Sequence, residues 1–305
     1  IVIEIEVTLY YAFLYRQIRQ KPSLSAKSAQ MYPAAGFPRV SLRSLWSNLN
    51  LFTMAKQAGI IKLKGTIGDI AFYKSADGHM ARFKGGVDGK RIATDPAFQR
   101  TRENGAEFGR AGKGGKLLRN SMQVMMQQAK DPKVVSRLTT QLLAIIKTDA
   151  TSMRGERNLT DGELGFLNGF EFNANSPLST TLVTPFNVSY DRASGAVGLT
   201  LEAYNPKVQI AAPTGATHYK LSCGVSELDF EAQNSLFKTV TTGILPYQNA
   251  EVAATDLEVN ITAGSTWSVV QALSIEFYQE VNGTMYSLQN GAYNAMAVVQ
   301  VAQPA

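Results

Sequence analysis

Apolar and polar residues alternate in short runs over residues 59–84. Two strand-like runs, 70–74 and 80–84, lie on either side of Asp77-Gly78. An Asp-Gly pair between such runs indicates a β-hairpin, because both residues tolerate a positive φ. With the apolar residues that precede the hairpin, the pattern predicts a small three-stranded meander over residues 59–84.

Further along, the pattern changes to a helical period. Asp95-Pro96 and Asp131-Pro132 each place a capping side chain before a proline, which is typical of a helix start. Apolar residues over 117–126 mark one helix between these two starts. A second helix is predicted by apolar residues at helical spacing, which are Val135, Leu138, Leu142, Ile145 and Ile146.

The last third of the chain has the pattern of strands. Runs 181–190 and 197–203 flank a turn sequence at 191–195, and run 294–301 predicts a closing strand. Runs 267–281 and 284–288 are separated by Asn282-Gly283, a strong hairpin signal. About seven short strands without a long helical pattern predict a β-sandwich of immunoglobulin or fibronectin type III kind.

One of these strands has a regular alternation. Leu273, Ile275 and Phe277 alternate with Ser274, Glu276 and Tyr278. Alternation of this kind is typical of a strand with one buried face and one face in water. We therefore expect the polar residues of this run to lie on the protein surface.

The net charge changes sign along the chain, close to the point where the pattern changes from helices to strands. Residues 54–157 contain 20 Lys and Arg against 9 Asp and Glu, whereas residues 158–305 contain 4 against 13. We therefore predict a two-module α+β protein, with a small meander plus helices followed by the sandwich. The predicted parts are a basic hairpin and helical module over 54–157, a linker over 158–175 and an acidic β-sandwich domain over 176–305.

Residues 1–53 have no sustained period of 2 or 3.6. Their apolar stretch, 7–15, lacks the positive flank and cleavage site of a secretory signal and is shorter than the roughly 20 residues that span a bilayer. Met54 opens the patterned part, so we expect residues 1–53 to be upstream sequence translated in frame. A disordered N-terminal extension, or a mitochondrial-type transit peptide given the Arg and Ser content of residues 16–53, stays an alternative.

Several motifs in the basic module resemble a family of uncharacterised bacterial proteins of the kind found in Bacteroidota. The resemblance covers roughly residues 54–175 and implies a bacterial, non-enzymatic protein. It implies no activity, cofactor or site residue. The motifs are Met54-Ala55-Lys56, Gly65-Thr66-Ile67-Gly68-Asp69-Ile70, Phe72-Tyr73-Lys74-Ser75, Asp77-Gly78, Asp95-Pro96-Ala97-Phe98-Gln99-Arg100-Thr101-Arg102-Glu103-Asn104-Gly105 and Glu107-Phe108-Gly109-Arg110-Ala111-Gly112-Lys113.

A glycine-rich segment over 109–117 has the composition of a phosphate loop but not its spacing. Arg110 stands where the first Gly is required, and Leu117 replaces the hydroxyl residue after Gly115-Lys116. We instead predict a flexible helix junction at Gly112, Gly114 and Gly115, because each Gly in a helix interior costs about 1 kcal/mol relative to Ala.

Candidate metal and acid–base groups are few. His79 and His218 have no second His or Cys near them in sequence, and the single Cys223 excludes a disulfide within the chain. Glu227, Asp229 and Glu231 alternate along a strand and are expected to form a solvent face. We predict no catalytic residue, no metal site and no cofactor.

Basic residues form the candidate binding set. They could neutralise phosphates in a sequence-independent way. Alternatively, they could be solvated helix faces, or they could meet the acidic module of the same or a neighbouring subunit. No DNA- or RNA-reading motif accompanies them. The set is Lys74, Arg82, Lys84, Lys90, Arg91, Arg100, Arg102, Arg110, Lys113, Lys116 and Arg119.

The sequence thus favours a non-catalytic structural or interaction protein. Its basic module would dock to a protein partner or to another copy, and its β-sandwich would act as a binding or assembly domain. The alternative is a nucleic-acid-associated protein that binds phosphates through residues 54–130. We expect a cytoplasmic protein without a membrane span, and the sequence identifies no small-molecule substrate.

Overall fold

The computed structural model describes residues 54–83 and 85–305. The described chain forms two compact units, a first unit that ends at Gly86 and a second unit that begins at Val87. The fold is mixed α and β with several antiparallel sheets. None of the described helices is both long and apolar enough to cross a membrane.

The first unit is a four-stranded antiparallel sheet with the strand order β1-β4-β3-β2. Its hairpin joins β3 to β4 through Ala76 and Asp77, and Gly78 has a φ of 113°. The hairpin predicted from Asp77-Gly78 is therefore confirmed, although β1 adds a strand outside the predicted range. The strands are β1 (Met54–Lys56), β2 (Gly65–Ile67), β3 (Ile70–Ser75) and β4 (Gly78–Phe83).

The second unit begins with helices. Both predicted capping residues bind backbone, since the Asp95 carboxylate accepts from the Ala97 N–H at 2.9 Å and that of Asp131 accepts from the Lys133 N–H at 2.6 Å. A 3-10 turn follows Asp95, and another spans Leu164–Leu167. The helices are α1 (Gly89–Thr94), α2 (Gln99–Ser121), α3 (Gln123–Met126), α4 (Val134–Ile146), α5 (Leu178–Thr181) and α6 (Pro206–Gln209).

The glycines of α2 do not form a junction, and that prediction is wrong. The helix continues through Gly112, Gly114 and Gly115 for 23 residues. A Cβ on Gly114 would collide with the Leu159 side chain, and one on Gly115 would lie 3.3 Å from Leu142 Cδ1. These two glycines therefore allow close packing of neighbouring segments against α2, which offsets their low helix propensity.

Nine described strands follow α5, and α6 lies between β6 and β7. The hairpin predicted at Asn282-Gly283 is confirmed: both residues have positive φ, 52° and 77°, and Val281 pairs with Thr284. The closing strand is also present. The strands are β5 (Phe186–Asp191), β6 (Ala196–Leu201), β7 (His218–Asp229), β8 (Asn234–Thr241), β9 (Leu245–Pro246), β10 (Thr255–Asn260), β11 (Ser268–Val281), β12 (Thr284–Ser287) and β13 (Ala295–Ala302).

These strands form two antiparallel sheets. The smaller has the order β10-β6-β5. The larger has six strands around a long central pair, β7 and β11, with β8 and β9 on β7 and with β12 and β13 on β11. One core contains residues of both sheets, such as Leu199, Leu257 and Leu273, so the arrangement is compatible with a β-sandwich.

A second core lies on the other face of the large sheet. It joins residues of α2 and α4 to Val270, Ala272 and Met296 of β11 and β13. Ser274 and Glu276, which were expected in water, are only 2% and 5% exposed. That prediction is wrong because the face opposite the small sheet is covered as well, which the alternation along one strand does not reveal.

The predicted linker over 158–175 also packs into this helical core. Leu159, Leu164, Leu167 and Phe172 are buried there. Backbone hydrogen bonds join this segment to the edge of β13, for example from the Phe172 N–H to the Met296 carbonyl at 2.7 Å. The helices and the sandwich strands therefore belong to one compact unit rather than to two modules joined by a linker.

Candidate binding surfaces

The first unit presents an apolar sheet face. Strand pairing aligns Ile67, Ile70 and Phe83 in one row and sets Phe72 opposite Ala81 in the next. Directly opposed residues of antiparallel strands project to the same side, so these side chains share one face. We call the face formed by Ile67, Ile70, Phe72, Ala81 and Phe83 the exposed sheet face.

No residue from Ala55 to Phe83 is buried. Ile67 is 64% exposed and Phe83 is 56% exposed. The loop before β2 adds Ile60 and Ile61, which are also fully or largely exposed. Contiguous apolar surface of this kind marks an interaction site, because it gains little from burial within its own unit.

The opposite face of the same sheet is more polar. It carries Thr66, Tyr73 and Arg82, and the Arg82 guanidinium lies 5.4 Å from the centre of the Tyr73 ring. This contact shields the aromatic ring with a cation, as expected for a face in water. This face also carries Ala71 and Met80, both half-buried. The two faces therefore differ mainly in their exposed side chains, which are apolar on one face (Ile67, Phe83) and polar on the other (Thr66, Arg82).

Among the predicted basic residues, the first unit contains Lys74, Arg82 and Lys84. Lys74 is exposed and pairs with His79 across the hairpin, next to the exposed sheet face. Arg82 is on the opposite face. Lys84 lies outside the described residues. The structure thus separates these cations instead of gathering them on one side.

Three predicted arginines, one in α1 and two in the first turn of α2, bind local partners. Arg91 pairs with Asp95 at 3.1 Å, and Arg100 with Glu103 at 3.6 Å. Arg102 donates to two backbone carbonyl oxygens, those of Ile92 at 2.7 Å and Asp95 at 2.9 Å, and so holds α1 against α2. The Ala97 N–H and then the Arg91 guanidinium keep the pKa of Asp95 below its usual value.

Two more predicted arginines are partly buried. Arg110 donates to the carbonyl oxygens of Gly155 and Arg157, which fixes the loop after α4. Burial lowers the pKa of Arg119. Arg110 therefore stabilises the fold, and its guanidinium is already engaged. Arg119 is half-buried, so it is less accessible to a nucleic acid than an exposed arginine would be.

Lys90, Lys113 and Lys116 are the remaining members of the set. They are exposed and form no ion pair with any residue in the described part of the chain. Lys113 and Lys116 lie three residues apart on α2, so they share one side of that helix. Within the second unit these three lysines are thus exposed and unpaired among the described residues, whereas Arg91 and Arg100 are exposed but ion-paired. The binding role of the set stays a prediction.

A groove that was not predicted lies beside α2. Its volume is about 720 Å³, and we call it the α2–α4 groove. Two features give it an amphipathic lining: apolar surface from Phe108 and Leu143, and positive charge from the loop after α4. The lining residues are Asn104, Gly105, Glu107, Phe108, Leu143, Lys147, Arg154 and Arg157.

The charged residues of the α2–α4 groove differ in how they are engaged. Arg154 lies 3.4 Å from a Glu103 oxygen and donates to Asn104 Oδ1 at 2.9 Å. Glu107 is 3% exposed, and its Oε1 accepts from the Gly155 N–H at 2.9 Å. The buried Arg157 Nε has no hydrogen-bond partner among the described residues, and Lys147 forms no ion pair there.

Sequence reasoning missed this groove for a clear reason. Lys147, Arg154 and Arg157 belong to the same basic block as the predicted set, but they follow α4 in a loop without a periodic pattern. Asp149 organises that loop: burial opposes its ionisation, yet hydrogen bonds from Ser152, Thr151 and Asn158 outweigh this and hold its pKa well below the usual value. Only the folded loop brings the cations to Phe108.

Polar groups on the large sheet form a closed cluster. Lys220 Nζ lies 2.9 Å from Glu276 Oε2, and the Tyr278 hydroxyl donates to the same oxygen at 2.5 Å. Burial opposes the charge on Lys220, but the hydrogen bond and charge of Glu276 outweigh it and raise the pKa of Lys220. The cluster is a satisfied ion pair, and no side chain in it is an activated nucleophile.

The three carboxylates predicted as a solvent face are not equivalent. Glu227 is 2% exposed, and its Oε2 accepts from the Thr262 N–H and hydroxyl at 3.2 and 3.0 Å. Its role is to fasten the loop after β10. Among the residues that the structure describes, no group of three His, Cys, Asp or Glu side chains is arranged to hold a metal ion.

Comparison with protein-family models, with curated proteins and with solved structures gave no match. The resemblance of residues 54–175 to a bacterial family therefore stays a prediction.

Proposed function

We propose that this chain is a non-catalytic structural protein that assembles by pairing the exposed sheet faces of two copies. The observation that carries the proposal is the first unit itself, a four-stranded sheet in which no residue from Ala55 to Phe83 is buried. A sheet with one apolar face gains stability only when that face is covered. Two copies stacked face to face would supply the missing second layer.

The chemistry of the face favours a second copy as the occupant. Ile67, Ile70, Phe72 and Phe83 give a surface that is chemically complementary to itself, as in homodimer interfaces that resemble a divided domain core. The predicted cations Lys74 and Arg82 lie next to it and on the opposite face. Face-to-face packing therefore does not bury these cations at the centre of the contact.

The dimensions of the sheet set the expected affinity. Four strands about 4.8 Å apart and up to six residues long give a flat footprint of about 400 Å². Counted on both partners this is about 800 Å², which is smaller than a standard specific interface, although the apolar loop before β2 would add to it. We therefore expect a dissociation constant in the micromolar range, which suits reversible assembly.

The second unit would act as the body that this contact links together. Its sandwich-like strands and helical layer support a rigid scaffold, and the relation of the strands to immunoglobulin or fibronectin type III domains stays a prediction. The acidic strands and basic helices pack in one unit. That packing supports an assembly role less directly than the exposed sheet face does.

Sedimentation velocity of the full chain tests the proposal. From about 1 to 100 µM protein, the chain should shift from monomer to dimer. Ile67→Asp places a carboxylate on the exposed sheet face and should weaken the dimer by at least about 100-fold, because each buried, unpaired charge costs several kcal/mol. Thr66→Asp is the matched control, since it adds the same charge on the opposite face and should leave the dimer intact.

Two results would overturn the proposal. If the chain stays monomeric over the whole concentration range, the exposed sheet face is not a contact between copies. A dimer that survives Ile67→Asp, or that Thr66→Asp weakens equally, is held together by some other surface.

A further inference from the structure

We propose that the α2–α4 groove binds a small amphipathic anion, a carboxylate or phosphate group attached to an aromatic or short apolar group. This site belongs to the second unit and is independent of the dimer contact proposed above. Its volume of about 720 Å³ is within the range of small-molecule sites, which are mostly apolar with a few polar anchors.

The charges of the lining favour an anion. Lys147, Arg154 and Arg157 supply three cations, against a single carboxylate from Glu107. That carboxylate is nearly fully buried and accepts a hydrogen bond from the Gly155 N–H, so it is already engaged. Lys147 has no anionic partner among the described residues, and the buried Arg157 Nε has no acceptor. A ligand oxygen would give Lys147 an anionic partner and would add an acceptor beside the Arg157 guanidinium, which also lines the groove.

The apolar part of the lining selects an amphipathic ligand over a simple ion. Phe108 is 58% exposed although it projects from the same helix as the buried core residues. Leu143 of α4 adds aliphatic surface to the same groove. A ring or short chain packed against these two side chains would gain burial that inorganic phosphate does not.

Gly105 keeps the groove open. It lines the groove one turn before Phe108, and a Cβ placed on it would meet nothing within 4 Å. A larger side chain at this position would therefore enter the groove without disturbing the core. Gly109, on the same helix, is equally free of neighbours but does not line the groove, which makes it a matched position.

Titration of the full chain with phenyl phosphate, followed by NMR or calorimetry, tests the site. Inorganic phosphate and phenol serve as the charged and apolar halves of the probe. We expect a dissociation constant of about a millimolar for phenyl phosphate, as befits a ligand of so few atoms, and at least tenfold weaker binding of each half. Benzoate and phenylacetate in a parallel titration distinguish a carboxylate from a phosphate preference.

Two variants separate the groove from the rest of the surface. Gly105→Leu should abolish phenyl phosphate binding, whereas Gly109→Leu should keep it; both replace Gly by a better helix former, so loss of folding does not explain a difference. Arg157→Gln should weaken phenyl phosphate at least fivefold and phenol little. Equal binding by the two leucine variants, binding of inorganic phosphate as tight as that of phenyl phosphate, or no binding at all would overturn the inference.

Discussion

The four-stranded sheet of the first unit and the six-stranded sheet of the second unit contain similar apolar strands, yet they differ in what covers them. Ile67 and Phe83 in the first sheet are more than half exposed, whereas Ser274 and Glu276 in the second are almost fully buried. The large sheet contributes to one core with the small sheet and to another with the helices. The first sheet has no such layer of its own within the described residues.

This contrast shows that the sequence pattern of a strand gives the polarity of its two faces. It does not show whether another layer of the protein packs on either face. Polar residues become buried when a second layer packs over them. Glu276 is satisfied there by Lys220 and Tyr278 of its own sheet, whereas the Ser274 hydroxyl has no hydrogen-bond partner among the described residues. In the first unit, Ile67 and Phe83 stay exposed, and none of its described residues forms a second layer over them. Burial in the part of the chain that the structure describes therefore follows the number of layers on each sheet.

The largest expected effect comes from removing core volume in the second unit. Leu142 is fully buried between α2 and α4, so Leu142→Ala should lower the free energy of unfolding by about 2–5 kcal/mol. Ile67→Ala in the first unit should change it by less than about 0.5 kcal/mol at protein concentrations below dimer formation. Urea unfolding followed by circular dichroism measures both.

Equal losses of unfolding free energy from Leu142→Ala and Ile67→Ala would contradict the proposed difference between the two sheets. They would mean that the first sheet unfolds together with the second unit and depends on burial that the exposed fraction of Ile67 does not indicate.

Local elements of this fold were largely predictable from sequence, because their signals are local. Asn282-Gly283 fixes a hairpin through positive φ, Asp95 caps the 3-10 turn that leads into α2, and Asp131 accepts a backbone hydrogen bond just before α4. The boundary between modules was not predictable in the same way. Charge and composition suggested a linker at 158–175, but Leu159 and Phe172 complete a core whose other members are distant in sequence.

The candidate sites illustrate the same limit. Arg102 and Arg110 counted as free cations in the sequence, because nothing in a sequence shows that the carbonyl oxygens of Ile92 and Gly155 lie next to them. Conversely, Arg157 and Phe108 are distant in sequence and meet only through the fold of the loop after α4. Residue type was predictable, and the partner of each residue was not.

A smaller effect is expected from the glycines of α2. Gly114→Ala should destabilise the second unit by about 1–3 kcal/mol, because the added Cβ collides with Leu159. Gly109→Ala, on the same helix with open space around it, should stabilise by up to about 1 kcal/mol through helix propensity. Thermal unfolding of the two variants measures both changes in stability. If both substitutions stabilise the protein, α2 and the 158–175 segment are not in close contact.

The smallest expected effect on stability compares an arginine that is bound within the fold with a lysine that has no ion pair. The same two variants also test nucleic-acid binding. Arg102→Ala removes two hydrogen bonds to carbonyl oxygens and should cost about 1 kcal/mol of stability, whereas Lys116→Ala should cost less than about 0.5 kcal/mol. If nucleic acid binds at all, retention on single-stranded and duplex DNA at low salt should fall for Lys116→Ala and not for Arg102→Ala, since only the lysine is free to contact phosphate. Loss of retention with Arg102→Ala at unchanged stability would instead identify that arginine as a phosphate ligand and would restore the nucleic-acid interpretation of residues 54–130.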